Sequence, residues 1–444
     1  MKRSTMNNLN YKEIMKKLTY ILLSLLFVQT AWAQKPVPAD PQAKPIALTG
    51  GVVHVGNGEV IQNATITFDK GKIVQVVSGA ANLSGFEVID IKGKHVYPGF
   101  ILPNSTVGLQ EVNSIRAMSD NSEQGELNPN VRSVISYNAD SEYIPTFRFN
   151  GVLLAESTPT GGTISGTSSL MEMEGWNWED AMHTEDIGVH MNWPPLMRRQ
   201  FDFSTFTVSQ APNKNYEIEV GGLERFFSEA LSYTKITTKE VNLKFEAMAG
   251  LFDGTKTLFI HADDPKEIVE GIRSAQRSGV KRITIVGGEG SLFVADFLKE
   301  NKIPVILGAT HNLPGREDAD IDMPYKLPHL LTQAGVVVSI SNDKSLHGGR
   351  NLGFYAGTAV AYGMTKEDAL KTITSNTAKA LGIDSRVGTL EVGKDATLFV
   401  SEGDALDYRT NKISHVFISG KTVTLSGNQQ ELFERYSKKY GQTK

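Results

Sequence analysis

Leu258-Phe-Ile-His-Ala-Asp-Asp-Pro-Lys-Glu-Ile-Val269 sets the rhythm of the chain. Leu258 to Ile260 is an apolar run of strand type, and Asp264-Pro265 supplies a helix N-cap followed by Pro in the first helical turn. Ile268, Ile272 and Ala275 then recur at helical spacing until Gly279 stops the helix. The same alternation repeats downstream, with strands over residues 283–286, 303–307 and 336–340 and helices over 293–298 and 327–331. Thr365-x-x-Asp368 is a capping box opening a helix that carries Ala369, Ile373 and Leu381. Strands that alternate with helices in this way pair in parallel, with the helices packed outside. The span from Pro98 to Asp384 suits a (β/α)8 barrel with insertions.

Outward from that region the pattern changes. Residues 46–91 read as short strands punctuated by Gly50-Gly51, Gly56-Asn57-Gly58 and Lys70-Gly71, and residues 396–400 and 414–419 are again strands. Two β-rich ends can close into one small β domain, because chain termini often lie close together. Residues 104–200 are rich in Asn, Ser, Gly and Trp, and only residues 152–155 form a clear strand there. The Gly/Thr stretch 158–167 lacks the Lys and the spacing of a phosphate loop and reads as a pocket wall or a surface turn. Trp176, Trp178 and Trp193 in this insert suit a lid or a subunit contact.

Composition narrows the chemistry. The 444 residues are 40% hydrophobic and 21% charged, with a net charge of −4, so there is no basic field for nucleic acid. Cysteine is absent, which removes thiolate nucleophiles, thiolate metal sites and disulfides, and leaves nine His with Asp, Glu and a modified Lys as candidate ligands. Lys12, Lys16 and Lys17, the apolar run 18–28 and Ala31-Trp32-Ala33 together describe a secretory signal peptide. Cleavage before Gln34 is expected to give a periplasmic or secreted protein, with no Cys to carry a lipid anchor. The organisation expected is a signal peptide (1–33), a linker (34–45), a β-sandwich built from 46–97 and 385–426, a barrel (98–384) and a polar tail (427–444).

The C-terminal ends of barrel strands form the catalytic face. Those ends carry His261, Glu289, His311 and Asp343, a set that suits one hard or borderline divalent cation. Each has a bland alternative: a satisfied core imidazole for His261, a helix-start carboxylate for Glu289, a solvated loop residue for His311 and a turn cap for Asp343. Arg350, His347, Arg316 and Tyr325 are candidates to bind substrate, with Arg350 favoured because its fork pairs bidentately with a carboxylate.

Val96-Tyr-Pro-Gly-Phe-Ile101, His261-Ala-Asp263, Val286-Gly-Gly-Glu289 and Gly393-Lys-Asp-Ala-Thr-Leu398 together resemble the amidohydrolase superfamily, and within it the imidazolonepropionase-like enzymes. The resemblance covers most of residues 46–423. It implies a (β/α)8 barrel with a β-sandwich from both chain ends, and one or two divalent metals, usually zinc, that activate water against an amide-like carbon. His261 matches the family's middle-strand His, and Asp343 the last-strand Asp that orients and deprotonates the water. Where the family has His-x-His, this chain has Asn104-Ser105-Thr106, and Leu102 replaces the usual Asp. An amide and a hydroxyl do not replace imidazole on zinc. Lys235, Lys239 and Lys244 are candidates for the family's carboxylated Lys by location alone.

Two functions follow. One is an exported hydrolase of carbon–nitrogen bonds in a cyclic amide, imide or dipeptide-like small molecule, with a reduced, one-metal site. The other is a non-catalytic member of the fold, binding a ligand or partnering an active amidohydrolase as a homo- or hetero-oligomer.

Overall fold

The computed structural model describes residues 13, 15–17, 37–79, 81–202, 206–315, 318–342 and 346–442. Apart from residues 13 and 15–17, the expected signal segment lies outside them. Contacts divide the chain between Val37 and Pro38, and the fold described below is that of Pro38–Lys444. No helix among the described residues is long and apolar enough to cross a membrane.

Eight strands form one sheet in spatial order: β1 (Phe100–Ser105), β2 (Val152–Ser157), β3 (Ile164–Glu172), β4 (Met182–Asn192), β5 (Thr257–Ala262), β6 (Ile283–Gly287), β7 (Val305–Leu307) and β8 (Val338–Ile340). The sheet curls until its edges nearly meet. Ile101 N–H donates to Ile373 O at 2.9 Å, Ile340 N–H to Thr372 O at 3.0 Å, and Ser341 Oγ to Pro103 O at 2.7 Å, so residues 372–373 staple β1 to β8. Helices follow in chain order: α1 (Tyr143–Arg148), α2 (Tyr216–Thr234), α3 (Leu243–Asp253), α4 (Pro265–Arg277), α5 (Ala295–Glu300), α6 (Met323–Ala334), α7 (Leu352–Ala361), α8 (Lys366–Lys371), α9 (Ser375–Leu381) and α10 (Asn428–Lys439). From β5 onward the expected alternation is present, and the Asp264 side chain accepts from Lys266 N–H as the N-cap of α4.

Two features depart from the sequence reading. β3 runs antiparallel to both β2 and β4, so this part of the barrel is a meander and not a series of helix crossovers. Part of the expected Gly/Thr loop, from Ile164 onward, is a fully buried strand whose hydroxyls are bonded inside the fold, as Thr167 Oγ1 is to Pro129 O at 2.7 Å. The helix opened by Thr365 also breaks. Thr372 and Thr374 hydroxyls bond back to Ala369 O and Leu370 O, while the carbonyls of Thr372 and Ile373 turn to the strand edges they staple.

Both ends of the chain meet in a second eight-stranded sheet, where the expected sandwich strands are joined in one hydrogen-bonded array. Leu398–Ser401 pairs antiparallel with His95–Pro98, which in turn lies parallel to Ile46–His54. Asp395, within the Gly-Lys-Asp motif, ties the two sheets together: Lys72 Nζ stands 2.5 Å away, His183 Nε2 on β4 and Arg386 Nε each 3.0 Å.

An apolar layer fills the barrel, with Ile101, Leu154, Leu170, Phe259, Val286 and Ile306 drawn from six different strands and packed on Ala378 and Leu381 of α9. Side chains two residues apart on a strand share a face. The next inward layer toward the C-terminal rim therefore includes Glu156, Ser168 and His261, and this layer is polar.

Candidate active site

Glu156 is fully buried and accepts three hydrogen bonds: from Asn104 N–H at 2.8 Å, Ser168 Oγ at 2.7 Å and His190 Nε2 at 2.9 Å. Burial pushes its carboxyl up, but the neighbouring His190 and these donors outweigh that effect and hold it below the usual carboxylate range. His190, equally buried on β4, stacks on Phe259 with ring centroids 4.5 Å apart, as their cross-strand pairing requires. Its other nitrogen, Nδ1, lies 2.9 Å from His261 Nε2 on β5. His261 is only partly buried, so the chain Glu156–His190–His261 runs from the sealed interior to the rim.

This geometry sets the tautomers. An ionised carboxylate only accepts, so it holds a proton on His190 Nε2. In the neutral ring His190 Nδ1 is then an acceptor, and His261 donates its Nε2–H to it. A carboxylate then stands two rings away from His261, where it stabilises positive charge on the imidazole pair.

His190 occupies the fourth strand, where the resemblance calls for a carboxylated Lys. The three Lys candidates lie elsewhere: Lys235 caps α2, Lys239 sits 3.7 Å over the Tyr233 ring, and Lys244 is in the first turn of α3. Asn104 and Thr106 stand at the end of β1, both buried, with Asn104 Oδ1 and Thr106 Oγ1 lacking hydrogen-bond partners. Asn104 has φ 50°, a left-handed conformation that Asn adopts more readily than most residues.

The other expected site residues scatter. Glu289 follows β6 at the surface, its N–H donating to Asp263 Oδ1 at 3.3 Å. His311 lies beyond β7 with Nε2 2.6 Å from Thr358 Oγ1 and its ring edge-on to Tyr355, and burial lowers its pKa. Tyr325 on α6 packs against Tyr362 at 5.3 Å. His347 and Arg350 share a cleft with α1 and α10 that includes neither His261 nor Glu156. Asp343 and Arg316 lie outside the described residues.

Of the four expected metal ligands, the described residues include His261, Glu289 and His311, and these three are not brought together. No group of three His, Asp or Glu side chains among the described residues is arranged to hold an ion. His261 Nε2 is engaged with His190, and the β1 positions offer an amide and a hydroxyl in place of imidazoles.

Comparison with known proteins agrees with the fold. Residues 256–423 match the model of the amidohydrolase family. An amidohydrolase from Thermotoga maritima superposes with a TM-score of 0.74 at 23% identity, over 85% of this chain and 99% of that one. The imidazolonepropionase of Thermoplasma volcanium is 34% identical over 110 residues, 23% of this chain and 27% of the relative. That of Flavobacterium psychrophilum is 25% identical over 163 residues, 32% and 40% of the respective lengths. The chain thus spans well under half the length of these two curated relatives. The family model matches the second half of the barrel and the strands that follow it, and the solved amidohydrolase shares the fold.

Proposed function

We propose that this protein hydrolyses a carbon–nitrogen bond in a small molecule, a cyclic amide, imide or dipeptide-like compound, at the C-terminal rim of the barrel. It acts outside the cytoplasm after loss of residues 1–33. The observation that supports this reading is the Glu156–His190–His261 chain, whose interior end is fixed by three donors and whose outer end reaches the rim. A buried charge of this kind is costly to the fold unless it is fully hydrogen-bonded, and here it is.

In this reading His261 is the general base. It takes a proton from a water whose oxygen bonds to the carbonyl carbon, and Glu156 stabilises the resulting imidazolium charge through His190. When the carbon–nitrogen bond breaks, the same proton passes to the departing nitrogen, and His261 returns to its starting state. Asn104 Oδ1 and Thr106 Oγ1, buried without partners, supply polar atoms that a substrate's amide group can satisfy.

The test is a hydrolysis screen over cyclic amides, imides and dipeptides with the mature chain. Turnover that falls at least about 100-fold in His261→Ala, with unchanged circular dichroism, supports the proposal. A wild-type chain inert to the whole panel overturns it. The same Asn104 and Thr106 positions favour a second reading, a ligand-binding partner of an active amidohydrolase. Co-expression with such an enzyme and co-elution of the two distinguishes that case.

A further inference from the structure

A cleft of about 210 Å3 lies where α1, the turn before α7 and the start of α10 converge, and none of its lining residues belongs to the Glu156–His190–His261 chain. Arg350, His347, Glu142, Tyr143 and Asn428 are among its lining residues. The backbone of Arg350 is pinned, its carbonyl accepting from Asn150 Nδ2 at 2.7 Å. Its guanidinium has no ion pair or hydrogen bond among the described residues, although Glu142 lines the same cleft. Glu142 likewise has no described ion pair. His347 is held edge-on to Tyr143 at 5.2 Å, which gives the cleft an aromatic wall.

A guanidinium and a carboxylate that share a small cleft without pairing present opposite charges at separate places. A ligand that carries both signs satisfies both groups, whereas a simple anion meets repulsion from Glu142. Arg binds a carboxylate bidentately, and two parallel charge-assisted bonds fix its orientation. The cleft is below the usual size of a drug-sized pocket, which limits the occupant to a few heavy atoms beyond its charged ends. We propose that this cleft binds a small zwitterion, an amino acid or dipeptide, with its carboxylate on Arg350 and its ammonium toward Glu142. The site shares no residue with the rim chain, so it stands or falls independently of the hydrolysis proposed above.

Calorimetric titration of the mature chain at pH 7 tests this with glycine, β-alanine and glycylglycine, against acetate, methylammonium and inorganic phosphate. At least one zwitterion is expected to bind more tightly than all three single-charge controls. Arg350→Ala should weaken it by about tenfold or more, the worth of a charge-assisted hydrogen bond. Arg350→Lys should recover only part of that loss, because it restores charge without the fork. Glu142→Gln, an exposed change that leaves the fold intact, should weaken the zwitterion while leaving acetate unchanged or tighter. The proposal is overturned if no zwitterion binds, if acetate or phosphate binds as tightly, or if Glu142→Gln leaves the preference unaltered.

Discussion

Replacing Glu156 tests the energetic core of the site. The side chain is fully buried, and its two oxygens satisfy Asn104 N–H, Ser168 Oγ and His190 Nε2. Glu156→Ala removes the acceptor for all three and leaves the imidazole without its counter-charge. Breaking a buried hydrogen-bonded pair from one side costs about 3–5 kcal/mol, a large fraction of the ~5–15 kcal/mol that keeps a domain folded. Glu156→Gln keeps the shape and one carbonyl acceptor, but turns an NH2 toward a former donor, at a cost of about 1–3 kcal/mol. The pH dependence has a definite sign. The carboxyl is held below its ordinary value in the folded chain, so its contribution is present above an unfolded pKa of about 4.3 and is lost as the pH falls through the folded value. The stability gap between wild type and Glu156→Gln should therefore be widest near pH 7 and narrow in acid. Urea unfolding followed by circular dichroism at pH 7 and in steps below pH 5 measures both quantities. A loss under about 1 kcal/mol for Glu156→Ala at pH 7 would refute the reasoning, as would a gap for Glu156→Gln that widens in acid.

Other outcomes follow from the same structure. Asp395 is held at a pKa of about 2, against burial, by His183, Lys72 and Arg386. Asp395→Asn should cost about 2 kcal/mol at pH 7, and the difference from wild type should fade between pH 4 and 2 as the native carboxyl takes up its proton. A Cβ at Gly188 would stand 2.4 Å from the Phe259 ring and from Thr257 O, so Gly188→Ala should lose about 1–3 kcal/mol and shift the His190 ring resonances that report its stacking on Phe259. Asn104→His with Thr106→His returns two imidazoles to the end of β1. Zinc uptake by elemental analysis should rise at least about tenfold if those positions are what the site lacks, and unchanged uptake would show that the remaining donors have diverged as well.

The half of the barrel from β5 onward was legible because its apolar runs and capped helices follow two distinct periods, and Asp264 and Thr365 cap where the sequence places them. That half is also where the family model matches. The β2–β3–β4 meander was obscured because β3 reads Ile-Ser-Gly-Thr-Ser-Ser-Leu-Met-Glu, a loop-like composition. Its hydroxyls are tolerated in the interior because Glu156 and backbone groups satisfy several of them, which no local pattern reveals. His190 was missed for a related reason. Val189 and Met191 flank it, and that alternation was the one available signal that His190 faces the opposite side of β4 from two core residues. His261 stands at a strand end as expected, whereas Glu289 and His311 only follow their strands in sequence, and their side chains turn to Gly315 and to α7.

The central claim is a proton-bearing chain from Glu156 through His190 to His261, and nitrogen-15 NMR of the histidine rings tests it most directly. The account predicts a hydrogen-bonded proton on His190 Nε2 that persists across the neutral pH range and is lost from its downfield position in Glu156→Ala. A His190 ring in the folded wild type with Nε2 unprotonated would contradict it.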